Sequence, residues 1–150
     1  MPDGRGITFP RGFIAGAVAA GVKDGTPDRL DVAVLASPVP CAAAAVFTSN
    51  QVIAAPCVVT RRHLGAGRLR GVVVNSGNAN ACTGEPGERD AVAMAAAAAS
   101  LVGARPEELA VASTGVIGVP LPAERIAAVL RGLELAIDGG EAFARAIMTT

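Results

Sequence analysis

Hydrophobic positions along the chain fall into two kinds of run. Residues 71–75 (GVVVN) and 109–112 (LAVA) are short, continuous and apolar, and each leads into a loop of small polar residues. Such runs predict strands buried on both faces. Residues 13–22 and 30–36 (LDVAVLA) are small and apolar and flank the turn Lys23-Asp24-Gly25. They predict a hairpin with Asp31 on one face of its second strand. Two more short strands are expected at 42–48 and 57–60, with a turn or short helix at 50–55. Pro56 stands at the start of the second, where a missing N–H is tolerated.

The pattern changes after the first loop. Residues 88–101 predict an Ala-rich helix, with Glu85 and Glu88 near its start and Gly103 at its end. Pro106 and the pair Glu107-Glu108 open a short turn. A helix is expected from Pro122 to about Leu130, Gly139-Gly140 breaks the chain, and residues 141–148 begin a further helix. Hairpin strands followed by alternating strands and helices predict an α+β or α/β fold, a sheet covered by Ala-rich helices.

Composition narrows the function classes. The 150 residues are 51% hydrophobic and 17% charged, too apolar for disorder and enough for one domain with a core. Aromatics are 3%, so Ala, Val, Leu and Ile must build that core. A net charge of zero gives no basic field for nucleic acid, and the lack of Trp and Tyr removes stacking platforms. The longest apolar run, residues 91–99, is far too short to span a membrane, and the N-terminus lacks a signal-peptide core. Cys41, Cys57 and Cys82 are an odd count without CxxC spacing, which suits reduced thiols in the cytosol. The single histidine, His63, has no partner pattern around it, so no metal site or Ser-His-Asp triad is expected and His63 is placed at the surface.

Two loops leave the ends of the buried strands, where α/β sheets tend to place ligands. The first, from Asn75 to Gly84, carries three asparagines, a serine and a threonine among small residues. It reads either as a tight strand-to-helix turn whose Asn side chains satisfy backbone groups or as a ligand-binding loop. Without GxGxxG or GxxxxGK[ST], nucleotide binding has weak support. The second is Ser113-Thr114-Gly115. A hydroxyl beside an unencumbered glycine N–H can hold a developing oxyanion, each donor contributing on the order of 3 kcal/mol to the barrier. The same tripeptide also suits a plain strand end.

Taken together the segments resemble the ArgJ family, the ornithine acetyltransferases. The run GVVVNSGNANACTG from Gly71, the run VASTGVIG from Val111 with Leu121-Pro122 after it, and the final AIMTT are similar to family segments in family order. Arg11-Gly12-Phe13, Ala20-Gly21-Val22-Lys23 and Ala45-Val46-Phe47-Thr48 fit as well. The resemblance implies an αββα sandwich and a precursor that cuts itself before a threonine, which becomes the nucleophile. Its α and β chains then associate as a heterotetramer. The implied reaction moves acetyl from N-acetylornithine to glutamate in arginine biosynthesis, with no cofactor; some members also use acetyl-CoA as donor. Thr114 and Gly115 match the oxyanion-hole pair and Thr149 a substrate-binding position. The family's Lys-Gly-x-Gly-Met segment and cleavage junction are absent. Residues 1–150 are therefore expected to be a single α-chain domain, incomplete without the rest of the α chain and the β chain. A small-molecule or nucleotide-binding module built on the Asn75 to Gly84 loop and a related self-cleaving aminopeptidase are the competing readings.

Overall fold

A computed structural model describes residues 6–148. Four strands form one sheet in the order β1-β2-β3-β4: β1 Ile14–Val18, β2 Val32–Ala42, β3 Arg68–Asn78 and β4 Leu109–Val116. The pairs β1/β2 and β2/β3 are antiparallel, and β3/β4 is parallel. A parallel pair needs a crossover. Helix α2, Gly84–Val102, supplies it between β3 and β4. Helices α1 (Ala55–His63), α3 (Ala123–Leu130) and α4 (Gly140–Ala146) complete the fold. The mixed α/β architecture agrees with the sequence expectation, and the described residues hold one sheet.

Strand alternation divides the apolar side chains between two faces. Val32, Val34, Val73, Leu109 and Val111 pack on one face against Val59, Met94, Ala95, Ala98, Ile126 and Leu130, so α1, α2 and α3 cover it. Ala15 and Ala33 point the other way, against Phe143 and Ala146 of α4. On that face Leu35, Val72 and Val74 are only partly buried. One face is thus a closed core of small residues. The other carries a single short helix.

Several expected elements came out differently. β1 ends at Val18, because residues 19–22 turn to meet the buried Asp31 carboxylate rather than extend the strand. β2 continues past residue 36 to Ala42, but its register with β3 shifts between Ala36 and Cys41, where Pro38 and Pro40 lie. Prolines belong at such irregularities because they have no N–H for the ladder. Arg70 spans the shift, donating to the Pro38 carbonyl at 3.0 Å and to the Gly103 carbonyl at the end of α2 at 3.0 Å. Residues 43–50 form no strand. Ala43 N–H still reaches the Gly67 carbonyl at 2.9 Å, and the chain then leaves the sheet, with Val46 98% exposed.

The expected strand at 57–60 is part of α1, with Pro56 in its first turn. A four-residue apolar run fits helix and strand equally, and Pro suits the start of either. The helix lies along β4, the edge of the sheet. The Thr60 hydroxyl accepts from Val111 N–H and donates to the Val111 carbonyl, both at 2.8 Å. His63, expected at the surface, is buried instead, with Nδ1 2.7 Å from the Leu109 carbonyl. A carbonyl only accepts, so Nδ1 carries the hydrogen. Side chains of α1 therefore occupy backbone groups of β4 that a further strand would otherwise take.

Candidate functional site

The two loops singled out in the sequence meet at the carboxyl ends of β3 and β4. In register, Asn75 stands beside Ser113, Ser76 beside Thr114 and Gly77 beside Gly115. The asparagines of the first loop are structural. Asn75, Asn78 and Asn80 are all buried. Asn75 Nδ2 donates to the Asn78 carbonyl at 2.8 Å, and its oxygen accepts from the Ser113 hydroxyl. Asn78 Nδ2 reaches the carbonyls of Val119 and Pro120, while Oδ1 accepts from Asn80 N–H at 2.7 Å. Asn80 donates to the Gly87 carbonyl and accepts from the Thr83 hydroxyl. The network fastens β3 to β4 and to the start of α2, and its amide groups are turned toward protein rather than toward a ligand. Of the two readings of this loop, the structural turn is the one found.

The second loop is arranged differently. Ser113 is committed to Asn75, but Thr114 projects to the opposite face and is exposed. Among the described residues nothing hydrogen-bonds the Thr114 hydroxyl. Gly115 has φ 137°, a backbone angle that L side chains rarely adopt. A Cβ there would lie 2.2 Å from the Gly77 carbonyl carbon and 2.4 Å from Asn78 N. Glycine is required for both reasons. The loop thus presents a free hydroxyl next to a backbone amide with no side chain in front of it.

Thr114 and Gly115 line a cleft of about 270 Å³ with Val116, Gly77 and Lys23. Lys23 arrives on the turn after β1. Asp31 holds that turn from inside the protein: Ala20 N–H donates to its Oδ1 at 2.7 Å and Val22 N–H to its Oδ2 at 2.6 Å. The Asp31 carbonyl in turn accepts from Ser76 N–H at 2.8 Å, which ties the turn to β3. Arg125 of α3 donates to the Gly21 carbonyl at 2.8 Å. Beside Lys23, the Thr26 N–H holds the Asp24 carboxyl below the usual carboxylate range, and Arg29 pairs with it at 3.5 Å.

Helix α4 is tied to the same part of β3. The Ser76 hydroxyl donates to the Ala146 carbonyl at the end of that helix. Since Ser76 is the strand neighbour of Thr114, the helix end sits on the Thr114 side of the sheet. Thr149, three residues on in sequence, lies outside the described residues. The sequence singles out Thr114 and Gly115 but not Gly77 and Lys23, which line the same cleft. Lys23 closes the Ala20-Gly21-Val22-Lys23 segment, but nothing in that segment marks a site, and only the fold brings it beside the second loop.

Comparison with known proteins places this geometry in a lineage. The family model of the ArgJ family matches residues 14–150. The chain belongs to the ArgJ family. The arginine biosynthesis bifunctional protein ArgJ of Symbiobacterium thermophilum is 55% identical over 147 residues, covering 97% of this chain and 37% of the relative. That of Dehalococcoides mccartyi is 47% identical over 150 residues, 100% of this chain and again 37% of the relative. The chain thus spans little more than a third of the length of these curated ArgJ relatives. Among solved structures, the Bacillus halodurans ArgJ protein superposes with a TM-score of 0.88 at 39% identity, over 96% of this chain and 75% of that one. The ornithine acetyltransferase of Mycobacterium tuberculosis, solved in complex with ornithine, gives 0.87 at 43% identity, over 96% and 79%.

Proposed function

We propose that the chain is the oxyanion-holding portion of a glutamate N-acetyltransferase of arginine biosynthesis. Residues 1–150 act as one α-chain domain, completed by the rest of the α chain and by a β chain that brings an N-terminal threonine. The observation that carries this reading is the Thr114 hydroxyl, with no partner among the described residues, beside Gly115, in a family one of whose solved members is an ornithine acetyltransferase bound to ornithine.

The chemistry follows from that pair. The nucleophilic hydroxyl attacks the acetyl carbon of N-acetylornithine, and the carbonyl electrons move onto oxygen. Thr114 O–H and Gly115 N–H donate to that oxygen while it is negative, and they interact more strongly with it than with the neutral carbonyl. The carbon–nitrogen bond then breaks, the ornithine amine leaves with a proton, and the acetyl group stays on the threonine as an ester. Attack by the glutamate amine passes through a second oxyanion at the same donors and returns the hydroxyl. No cofactor is needed; acetyl-CoA can serve as an alternative acetyl donor. Thr149 contributes to holding the amino-acid end of the substrate. The free cysteines suit a cytosolic enzyme, and the assembled form is a heterotetramer of two α and two β chains.

The test is Thr114→Ala in the assembled enzyme, this chain together with the remaining length of its relatives. Acetylation of the nucleophile should slow about a hundredfold or more, because one oxyanion donor is lost. Turnover at the wild-type rate would remove Thr114 from the mechanism.

A further inference from the structure

We infer that Lys23 is a catalytic residue of the same cleft, its ammonium stabilising the negative oxygen that develops beside Thr114 and Gly115. The inference rests on the acetyl-transfer reading above. Lys23 is the one cationic side chain among the residues lining the cleft, where it faces Thr114, Gly115, Val116 and Gly77. Among the described residues it makes no ion pair. The neighbouring carboxylate, Asp24, is held by Thr26 N–H and paired with Arg29, so the positive charge of Lys23 is left uncancelled.

A solvated surface lysine would need none of the construction found here. The turn that carries Lys23 is fastened at three points: two backbone amides on the buried Asp31, the Gly25 N–H on the Gly21 carbonyl at 2.8 Å, and the Arg125 guanidinium on the same carbonyl. It is also pressed against β3 where β3 has no side chain. A Cβ on Gly77 would come within 2.9 Å of Lys23 Cβ and 3.0 Å of Lys23 N. Gly77, with φ 106°, is therefore the residue that lets the turn close on the oxyanion site. Two glycines, Gly77 and Gly115, stand beside each other in register, the first allowing the backbone and Cβ of Lys23 to approach β3 next to the second.

Thr114 O–H and Gly115 N–H are dipoles, and their effect fades quickly with distance. A full charge acts over a longer range and grows stronger once substrate displaces water from the cleft. Lys23 gives up no proton in this role. The carbonyl π electrons move to oxygen as the nucleophile's bond to carbon forms, and the ammonium lowers the energy of that anion.

Single-turnover acetylation from N-acetylornithine, measured in the assembled enzyme for Lys23→Met, Lys23→Arg and Thr114→Ala, tests this. Lys23→Met should slow the step about tenfold at low salt with KM little changed, as expected for loss of one partly screened charge. Lys23→Arg should restore most of the rate. The gap between wild type and Lys23→Met should narrow at about 1 M salt, where screening is strong. A wild-type rate for Lys23→Met beside a slow Thr114→Ala overturns the role of Lys23 and leaves the acetyl-transfer reading standing. So does an effect confined to KM, or a loss that Lys23→Arg and salt leave unchanged, which marks a structural role. A wild-type rate for Thr114→Ala overturns the reading itself and this inference with it.

Discussion

Asp31 shows how much of the site depends on one buried side chain. It is 3% exposed, and both carboxylate oxygens accept backbone N–H groups from the turn that leads to Lys23. Asp31→Asn keeps the shape but replaces one acceptor with an NH₂ that must face a backbone N–H. The loss should be about 2–3 kcal/mol, the cost of an unpaired buried donor and a weakened charge-assisted bond. Urea denaturation would read it as a lower midpoint with an unchanged slope. If Asp31 held nothing in place, the midpoint would not move. Thr114 and Gly115 were legible in the sequence because hydroxyl and glycine are adjacent and follow a buried run. The work of Asp31 was not legible, since its partners are amides of Ala20 and Val22, and a backbone N–H leaves no mark in the residue string. The asparagines illustrate the same limit. Their number marked an organised loop, but only the fold shows that each one is spent on a carbonyl or a neighbouring side chain.

At the scale of elements, the long periodic segments were read well and the short ones were not. α2 lies where its long Ala-rich run predicts it, and the apolar runs at 71–75 and 109–112 lie in β3 and β4, each marked as a strand by the loop of small polar residues that follows it. Residues 57–60 did not, because four apolar residues hold no period. What decided between helix and strand there was tertiary: the edge of β4 is closed by Thr60 and His63 rather than by another strand. Thr60→Val matches the original in shape and leaves the Val111 N–H and carbonyl without this partner. Stability should fall by about 2 kcal/mol. Thr60→Ser, which restores the hydroxyl, should recover most of it in the same denaturation assay. Equal stability of Thr60→Val and wild type would show that water replaces the hydroxyl at no cost.

Across the whole molecule the two faces of the sheet are unequal. The face under α1, α2 and α3 is a closed core, and the other has only α4, with Val72 and Val74 partly open. Val116 at the end of β4, Ile117 after it, and Ile147 and Met148 after α4 are exposed as well. A 150-residue chain presenting this much apolar surface should bind a hydrophobic dye such as ANS in its native state. The fluorescence should drop when the chain is assembled with the remaining length of its relatives, and persistence of the signal would place their contact elsewhere. The edges behave in the opposite way. On β4 the side chains of α1 take the Val111 N–H and carbonyl and the Leu109 carbonyl. On β1, Ala15 and Ala136 exchange N–H···O bonds at 3.0 and 2.9 Å. Edges whose outward groups are partly taken in this way offer fewer of them to a visiting strand, which is the ordinary route to fibrils and misjoined dimers. The apolar face is thus open to contact while the partly covered edges make edge-to-edge growth less favourable, so the sheet directs association to its face rather than to its sides.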